Sequence, residues 1–224
     1  MTEKKNNQTA PSLEESVNVS EAYLLKYKNA IIGCVIAIIV IIGGFVCYKT
    51  YISEPNEQKA STAIAKCQEL FQNEQYELAL NGDSLNAGFL AVAEQYSSTD
   101  AGNLANLYAG LCYAGLEKWQ EAAQCLEKYD EAGDQMISPA AIGALGNVYA
   151  HLDQLDKAVS TLKKAAEKAD NNSLSPTYLI QAGQILEKQG NKAEALKCYQ
   201  QIKEKYFQSM YYQTIDEYIE RVSE

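Results

Sequence analysis

Three stretches of this chain carry matching residue types at the same internal distances, and that periodicity restricts the fold more than any other property of the sequence. Gly110, Tyr113, Ala122, Leu126 and Tyr129 recur as Gly146, Tyr149, Ala158, Leu162 and Ala165, and again as Gly183, Leu186, Ala195, Tyr199 and Ile202. Counted from the glycine, the offsets are +3, +12, +16 and +19 each time, and the glycines lie 36 and 37 residues apart. A fainter copy precedes them at Cys67, Leu70 and Ala79, with Tyr76 where Trp119 and Leu155 later supply a bulky turn residue. A small side chain lets a second helix approach, and a bulky one a turn later fills the space beside it. The alanine then places the antiparallel helix at closest contact. Turn residues fall between, in GLEKWQEA, HLDQLDKA and KQGNKAEA. Each unit is therefore a helical hairpin, and because one hairpin cannot bury its apolar face alone, successive hairpins stack into a curved solenoid.

Composition agrees with an all-α chain. Only 4 prolines and 13 glycines interrupt 224 residues dominated by good helix formers. The small-x2-aromatic-x8-Ala core of residues 110–122 and 146–158, repeated with Leu186 in 183–195, resembles the tetratricopeptide repeat family. The resemblance covers about residues 58–206 and implies about four repeats. Pro139 and Pro176 open the first helices of the third and fourth, while the family prolines at repeat ends are absent. Between the first and second copies the spacing widens to 43 residues through NGDSLNAGFLAVAEQYSSTD. There Asn81-Gly82-Asp83 marks a break, and Gly88–Tyr96 reads as an extra helix. Residues 207–223 place Tyr211, Ile215, Tyr218, Ile219 and Val222 on one face and are expected to form a capping helix.

Ahead of the repeats, residues 30–48 form an uncharged apolar run of 19 residues, enough for one transmembrane helix across about 30 Å of hydrocarbon. Tyr27, Tyr48 and Tyr51 fall at its two interfaces. The polar region before it is long for a signal peptide, and no A-x-A site follows, so the run is expected to remain as an anchor. Phe45 and Val46 stand where lipoprotein processing at Cys47 would require small residues. Lys26 and Lys28 against Lys49 favour a cytoplasmic N-terminus. The chain then divides into a cytoplasmic tail (1–29), the span (30–48) and an extracytoplasmic repeat domain (52–224). Within the tail, residues 1–19 read as disordered, and Ser20 as the cap of a short juxtamembrane helix. Gly33 and Ala37 form a small-x3-small face that can pack on another helix, a spacing that also arises by chance.

Residues 52–224 carry 14 basic against 25 acidic side chains, so this part repels phosphate backbones and excludes nucleic acid as a partner. No Gly-rich phosphate loop, H-E-x-x-H or nucleophile elbow occurs, and the lone His151 has no Ser or Cys beside it in such a setting. No catalytic residue, cofactor, metal site or small-molecule substrate is therefore expected. Of the six cysteines none forms a C-x-x-C pair. Cys112 and Cys125 lie on the two helices of one hairpin, so they are either bridged or buried and reduced.

What remains is a surface for protein or peptide partners. The candidate concave stripe on the first helices comprises Leu107, Tyr108 and Leu111, then Gly143, Asn147 and His151, then Ile180, Gln184 and Lys188. It changes from apolar to polar along the array, and a peptide groove and an ordinary solvated inner face both fit it. Tail, single anchor and acidic repeats together resemble the YfgM-like ancillary translocon subunits of the bacterial inner membrane, most densely over ALNGDSLNAGFLAVAEQYSSTDAGNLANLYAGLCY. That resemblance implies a periplasmic domain near the secretion translocon and its chaperones. A scaffold for cell-envelope assembly or division is the competing expectation.

Overall fold

The computed structural model describes residues 13–223. The first twelve residues of the expected disordered tail lie outside the described residues. Two compact units divide near Glu54: one ends there, and the other begins at Pro55.

In the first unit, helix α1 (Leu13–Tyr48) is followed by a π-helical segment (Lys49–Ser53), in which Glu54 donates its backbone N–H to the Lys49 carbonyl. The helix begins at Leu13, so Ser20 lies within it and residues 13–19 are helical, not tail. No proline or glycine stands between Pro11 and Gly33, and nothing local stops helix propagation over that stretch. The most apolar window of this helix has a mean hydropathy of 3.0, and none of it is buried. A β-carbon added at Gly33, Gly43 or Gly44 would meet nothing within 4 Å. An apolar helix left bare on every side cannot be a core helix of its own unit. It is long and apolar enough to cross a membrane.

The second unit is all-helical, and among the described residues the backbone forms no strand, only an isolated bridge between Gly82 and Ala87. Its elements are α2 (Glu54–Gln72), α3 (Tyr76–Asn81), α4 (Phe89–Gln95), α5 (Asp100–Gly115), α6 (Trp119–Leu126), α7 (Ile137–His151), α8 (Leu155–Ala169), α9 (Ser175–Lys188), α10 (Lys192–Lys205) and α11 (Ile215–Ser223). Four hairpins, α2/α3, α5/α6, α7/α8 and α9/α10, turn in the same way. At Glu74, Glu117, Asp153 and Gly190 the backbone is left-handed, with φ of 57°, 59°, 56° and 75°. The next residue in each case donates its N–H to the carbonyl of Leu70, Tyr113, Tyr149 or Leu186, closing the first helix. All eight residues stand at offsets +3 and +7 from Cys67, Gly110, Gly146 and Gly183. The faint first copy is thus a true repeat in its turn.

Packing follows the +16 offset. A β-carbon at Gly110 would come within 2.5 Å of Leu126 Cγ, one at Gly146 within 2.8 Å of Leu162 Cγ, and one at Gly183 within 2.4 Å of Tyr199 Cε1. Ala79, Ala122, Ala158 and Ala195 at offset +12 are fully buried. In the first repeat offset +16 is Asp83, which lies beyond the end of α3. The Cys67 thiol occupies the space instead and donates to the Ala87 carbonyl at 3.1 Å.

Consecutive hairpins are tied at their ends. Glu57 on α2 accepts the N–H groups of Asp100 and Ala101 at 2.7 and 3.1 Å, while the Thr99 hydroxyl oxygen accepts that of Gly102. Together they satisfy the first turn of α5. The extra helix expected near Gly88–Tyr96 is α4. The capping helix is shorter than expected, because residues 207–214 form turns. Tyr206 is buried, Gln208 donates its N–H to Asn172 Oδ1, and these tertiary ties override local helical preference. Helix α11 still closes the array: Ile215 and Val222 are buried, and Arg221 makes a two-pronged contact with Glu187 on α9.

Candidate protein-binding surface

At about 100° of rotation per residue, positions +1 and +5 from each repeat glycine point roughly 100° and 140° away from it, whereas position −3 points only about 60° away. The first helix of a hairpin packs on its own partner and on both neighbouring hairpins, so only the narrow arc at +1 and +5 reaches the inner surface. The expected stripe was drawn too wide. Leu107 and Ile180, both at −3, are buried in the core. Gly143, at the same offset, has no side chain because the Tyr178 ring of the next repeat lies 2.3 Å from where one would begin. Tyr108, at −2, is half-buried between Phe71, edge-on at a centroid distance of 5.3 Å, and Phe89, stacked at 5.2 Å. These aromatics belong to the packing of the first two repeats and are not free anchors for a partner.

The arc itself holds Leu111, Asn147 and Gln184 at +1, and Gly115, His151 and Lys188 at +5. Leu111 is half-buried against the Leu107 cluster. His151 is exposed on one face, while its other face stacks on Trp119 of the preceding repeat with centroids 3.8 Å apart and planes 3° apart. Tyr76 lies against Gly115 in the equivalent place one repeat earlier. The turn residue of each of these repeats therefore covers the +5 position of the next, and His151 is as much a stacking partner as a surface group. Asn147, Gln184 and Lys188 reach the surface and have no hydrogen-bond or ion-pair partner among the described residues.

A second concavity escaped the sequence. It is a groove of about 500 Å³ between the outer face of α2 and the loop after α3, lined by Pro55, Gln58, Lys59, Thr62, Ala63 and Lys66 on one side and Leu85, Asn86 and Ala87 on the other. Asp83 organises the loop by accepting the N–H groups of Leu85 and Asn86, both at 2.7 Å, and those bonds hold its carboxyl below the usual range. Lys66 donates to Asn86 Oδ1 across the groove at 2.9 Å, while Leu85 stands 89% exposed. The Asn81-Gly82-Asp83 break was the sequence signal for this feature. A break announces a loop but not the helix face beneath it.

The thiols do not suit chemistry. Cys67, Cys112, Cys125 and Cys198 are buried and unbridged. Burial pushes Cys112 up to about 12, aided by its neighbours Cys67 and Cys125, so it is a thiol and not a thiolate at neutral pH. Among the described residues, no three side chains of His, Cys, Asp or Glu are grouped so as to hold a metal ion.

A family model described as a tetratricopeptide repeat-like domain matches residues 21–220, which takes in the apolar helix as well as the repeats. No curated protein matches the chain.

Proposed function

Because the chain belongs to the tetratricopeptide repeat-like family, a generally non-enzymatic protein-interaction fold, we propose that it is a docking module held at a membrane by residues 30–48. The carrying observation is the group of surface side chains Asn147 and Gln184, at the same position of successive repeats, with Lys188 one turn beyond Gln184, all with nothing of their own to bind. Amide and ammonium donors on adjacent repeats suit the backbone carbonyls of an extended peptide laid across them. That the family match runs through the apolar helix supports reading anchor and repeats as one functional unit. The anchor stays uncleaved, the N-terminus is cytoplasmic, and the repeats lie in the bacterial periplasm near the secretion translocon. Tethering confines the domain to the membrane plane and raises its effective concentration beside other membrane complexes.

Two measurements test this. Protease added to intact spheroplasts should digest the repeats; protection until lysis would reverse the topology. Detergent co-purification should recover translocon components with the native chain, and Asn147→Ala, Gln184→Ala and Lys188→Ala combined should lose them without a change in melting temperature. Recovery undiminished by the triple change would remove these side chains from the binding surface. Recovery of wall-synthesis or division proteins in place of the translocon would remove that assignment.

A further inference from the structure

The hairpins expose two edges of different character. One carries the turns within hairpins, near Glu74, Glu117, Asp153 and Gly190. The other carries the loops between hairpins, at residues 96–99, 127–136, 170–174 and 206–214. Among the described residues from Pro55 onward, five of the seven exposed large apolar side chains fall on this second edge: Met136, Ile137, Phe207, Met210 and Tyr212. The loop at 170–174 ties the two groups into one edge, since Asn171 Nδ2 donates to the Gln135 carbonyl on one side and the Gln208 N–H donates to Asn172 Oδ1 on the other. Phe207 is 61% exposed and Met210 82%. Neither is needed by the core, which Tyr206 and Ile215 close on either side of them.

The chain enters the repeat unit on the same edge. Glu57, in the first turn of α2, bonds the first N–H groups of α5, so the start of α2 lies beside the start of α5. The apolar residues and the covalent connection towards the apolar run thus share one edge. Three of the carboxylates there are compensated internally, whereas exposed Asp100 and Asp130 have no cation partner among the described residues. Glu131 takes Lys164 at 2.5 Å and Lys168 at 2.7 Å, Asp170 takes Lys205 at 2.7 Å, and Asp134 is bonded by the first turn of α7. In a domain with a marked acidic excess, acids already paired are what a surface needs if it is to meet a low-dielectric boundary without stranding charge.

We propose that this edge rests in the headgroup and upper acyl region of the phospholipid bilayer, with Phe207 and Met210 inserted and Met136 and Ile137 beside them. The proposal rests on residues 30–48 spanning that bilayer, and on nothing about which protein the domain binds. An apolar edge whose lysines Lys164, Lys168 and Lys205 are taken up by its own acids offers no basic cluster to anionic headgroups, so it selects zwitterionic lipid and its contact is insensitive to salt.

The test uses the full chain in vesicles of phosphatidylcholine brominated on its acyl chains, compared with unbrominated vesicles. Trp119 is the sole tryptophan and stands next to the turn at Glu117, on the far edge, so it is an internal control. Phe207→Trp, and separately Met210→Trp, adds an indole on the near edge. The expected result is strong loss of the added fluorescence in brominated vesicles while that of the native chain is unchanged. Equal emission from the added indole in both lipids, in variants that float with the vesicles and keep native helicity, overturns the edge contact and leaves the span standing. A native chain that fails to float with either vesicle, or is stripped by alkaline carbonate, overturns the span and the contact together.

Discussion

The first repeat and the three that follow share a turn and a buried alanine at offset +12, and differ in how their two helices are brought together. In the later repeats a glycine and a bulky residue sixteen positions on bring two helices into contact. In the first, Cys67 replaces the glycine, α3 ends after six residues, and an aspartate-tied loop leads into α4, whose Phe89 and Val92 are fully buried. The regular repeats are thus built from helix faces, while the first is built partly from backbone packed on backbone. The consequence appears on its surface, where the loop raises one wall of a groove of about 500 Å³ while the open arc of the regular repeats carries isolated side chains. An array can give up its packing rule in one unit and gain a concavity there, provided the turn is kept.

The comparison breaks first at Gly88. A β-carbon there would lie 2.3 Å from the Leu80 carbonyl oxygen and 2.4 Å from the Gly82 nitrogen, both backbone atoms that no rotamer change can move. Gly88→Ala should cost about 3 kcal/mol or more in denaturant unfolding. A cost below that of the equivalent change in a regular repeat would mean that the loop yields, and that the first repeat is not built on rigid backbone contact. In the regular repeats the obstacle is a side chain. Ala158→Leu, at the fully buried contact position, and Gly146→Ala, facing Leu162, should each cost about 1–3 kcal/mol, since neighbours can partly give way. Unchanged melting of both would put the repeat register in error.

Cys67→Gly restores the family residue to the first repeat. If the repeats truly differ, this change destabilises by roughly 1–2 kcal/mol, through the flexibility of a helix-interior glycine and the loss of a buried side chain. A rise in melting temperature would show instead that a close helix approach had been waiting there. The smallest effect concerns the two aspartate-tied loops. Asp134 accepts a hydroxyl bond from Ser138 and the N–H groups of Met136, Ile137 and Ser138, which together hold its carboxyl down to about 2. A carboxylate depressed on folding stabilises fully above its unfolded value near 3.8, and that contribution fades as pH falls towards 2. Asp134→Ala should therefore cost about 1 kcal/mol at neutral pH, as a lost cap does, and nothing below about pH 2. A difference between variant and native chain that persists unchanged to pH 2 would mean that the loss is packing and not the charged bonds.

The repeats were legible because their determinants are local: small residues, turn residues and alanines at fixed offsets state the hairpin directly. The apolar run was legible for the same reason, as an unbroken composition over a known length. The partner surface was much less so. Tyr108 read as a free anchor because its direction leaves the hairpin, yet Phe71 and Phe89 meet it from the preceding repeat, 37 and 19 residues away in the chain. Which arc of a helix stays open depends on stacking between hairpins, and no single hairpin encodes that. The expected helix over 207–223 was shortened for a related reason, since Asn172 and Asp170, from another loop, draw residues 206–208 out of helical register.

From α3 onward the helix pairs in substantial contact are neighbours in the chain or next but one, and α3 and α4 separate α2 from the α5 it meets. That economy of reach bears on how the domain comes into being. A contact between near neighbours closes a short loop of chain, so the search for it is brief and each hairpin can consolidate on the one already formed. A polypeptide leaving the ribosome emerges in the same order, one hairpin at a time. The nascent array has usable edges before its last helix exists, and α11, clasped to Glu187 by Arg221, is the latch that ends the process.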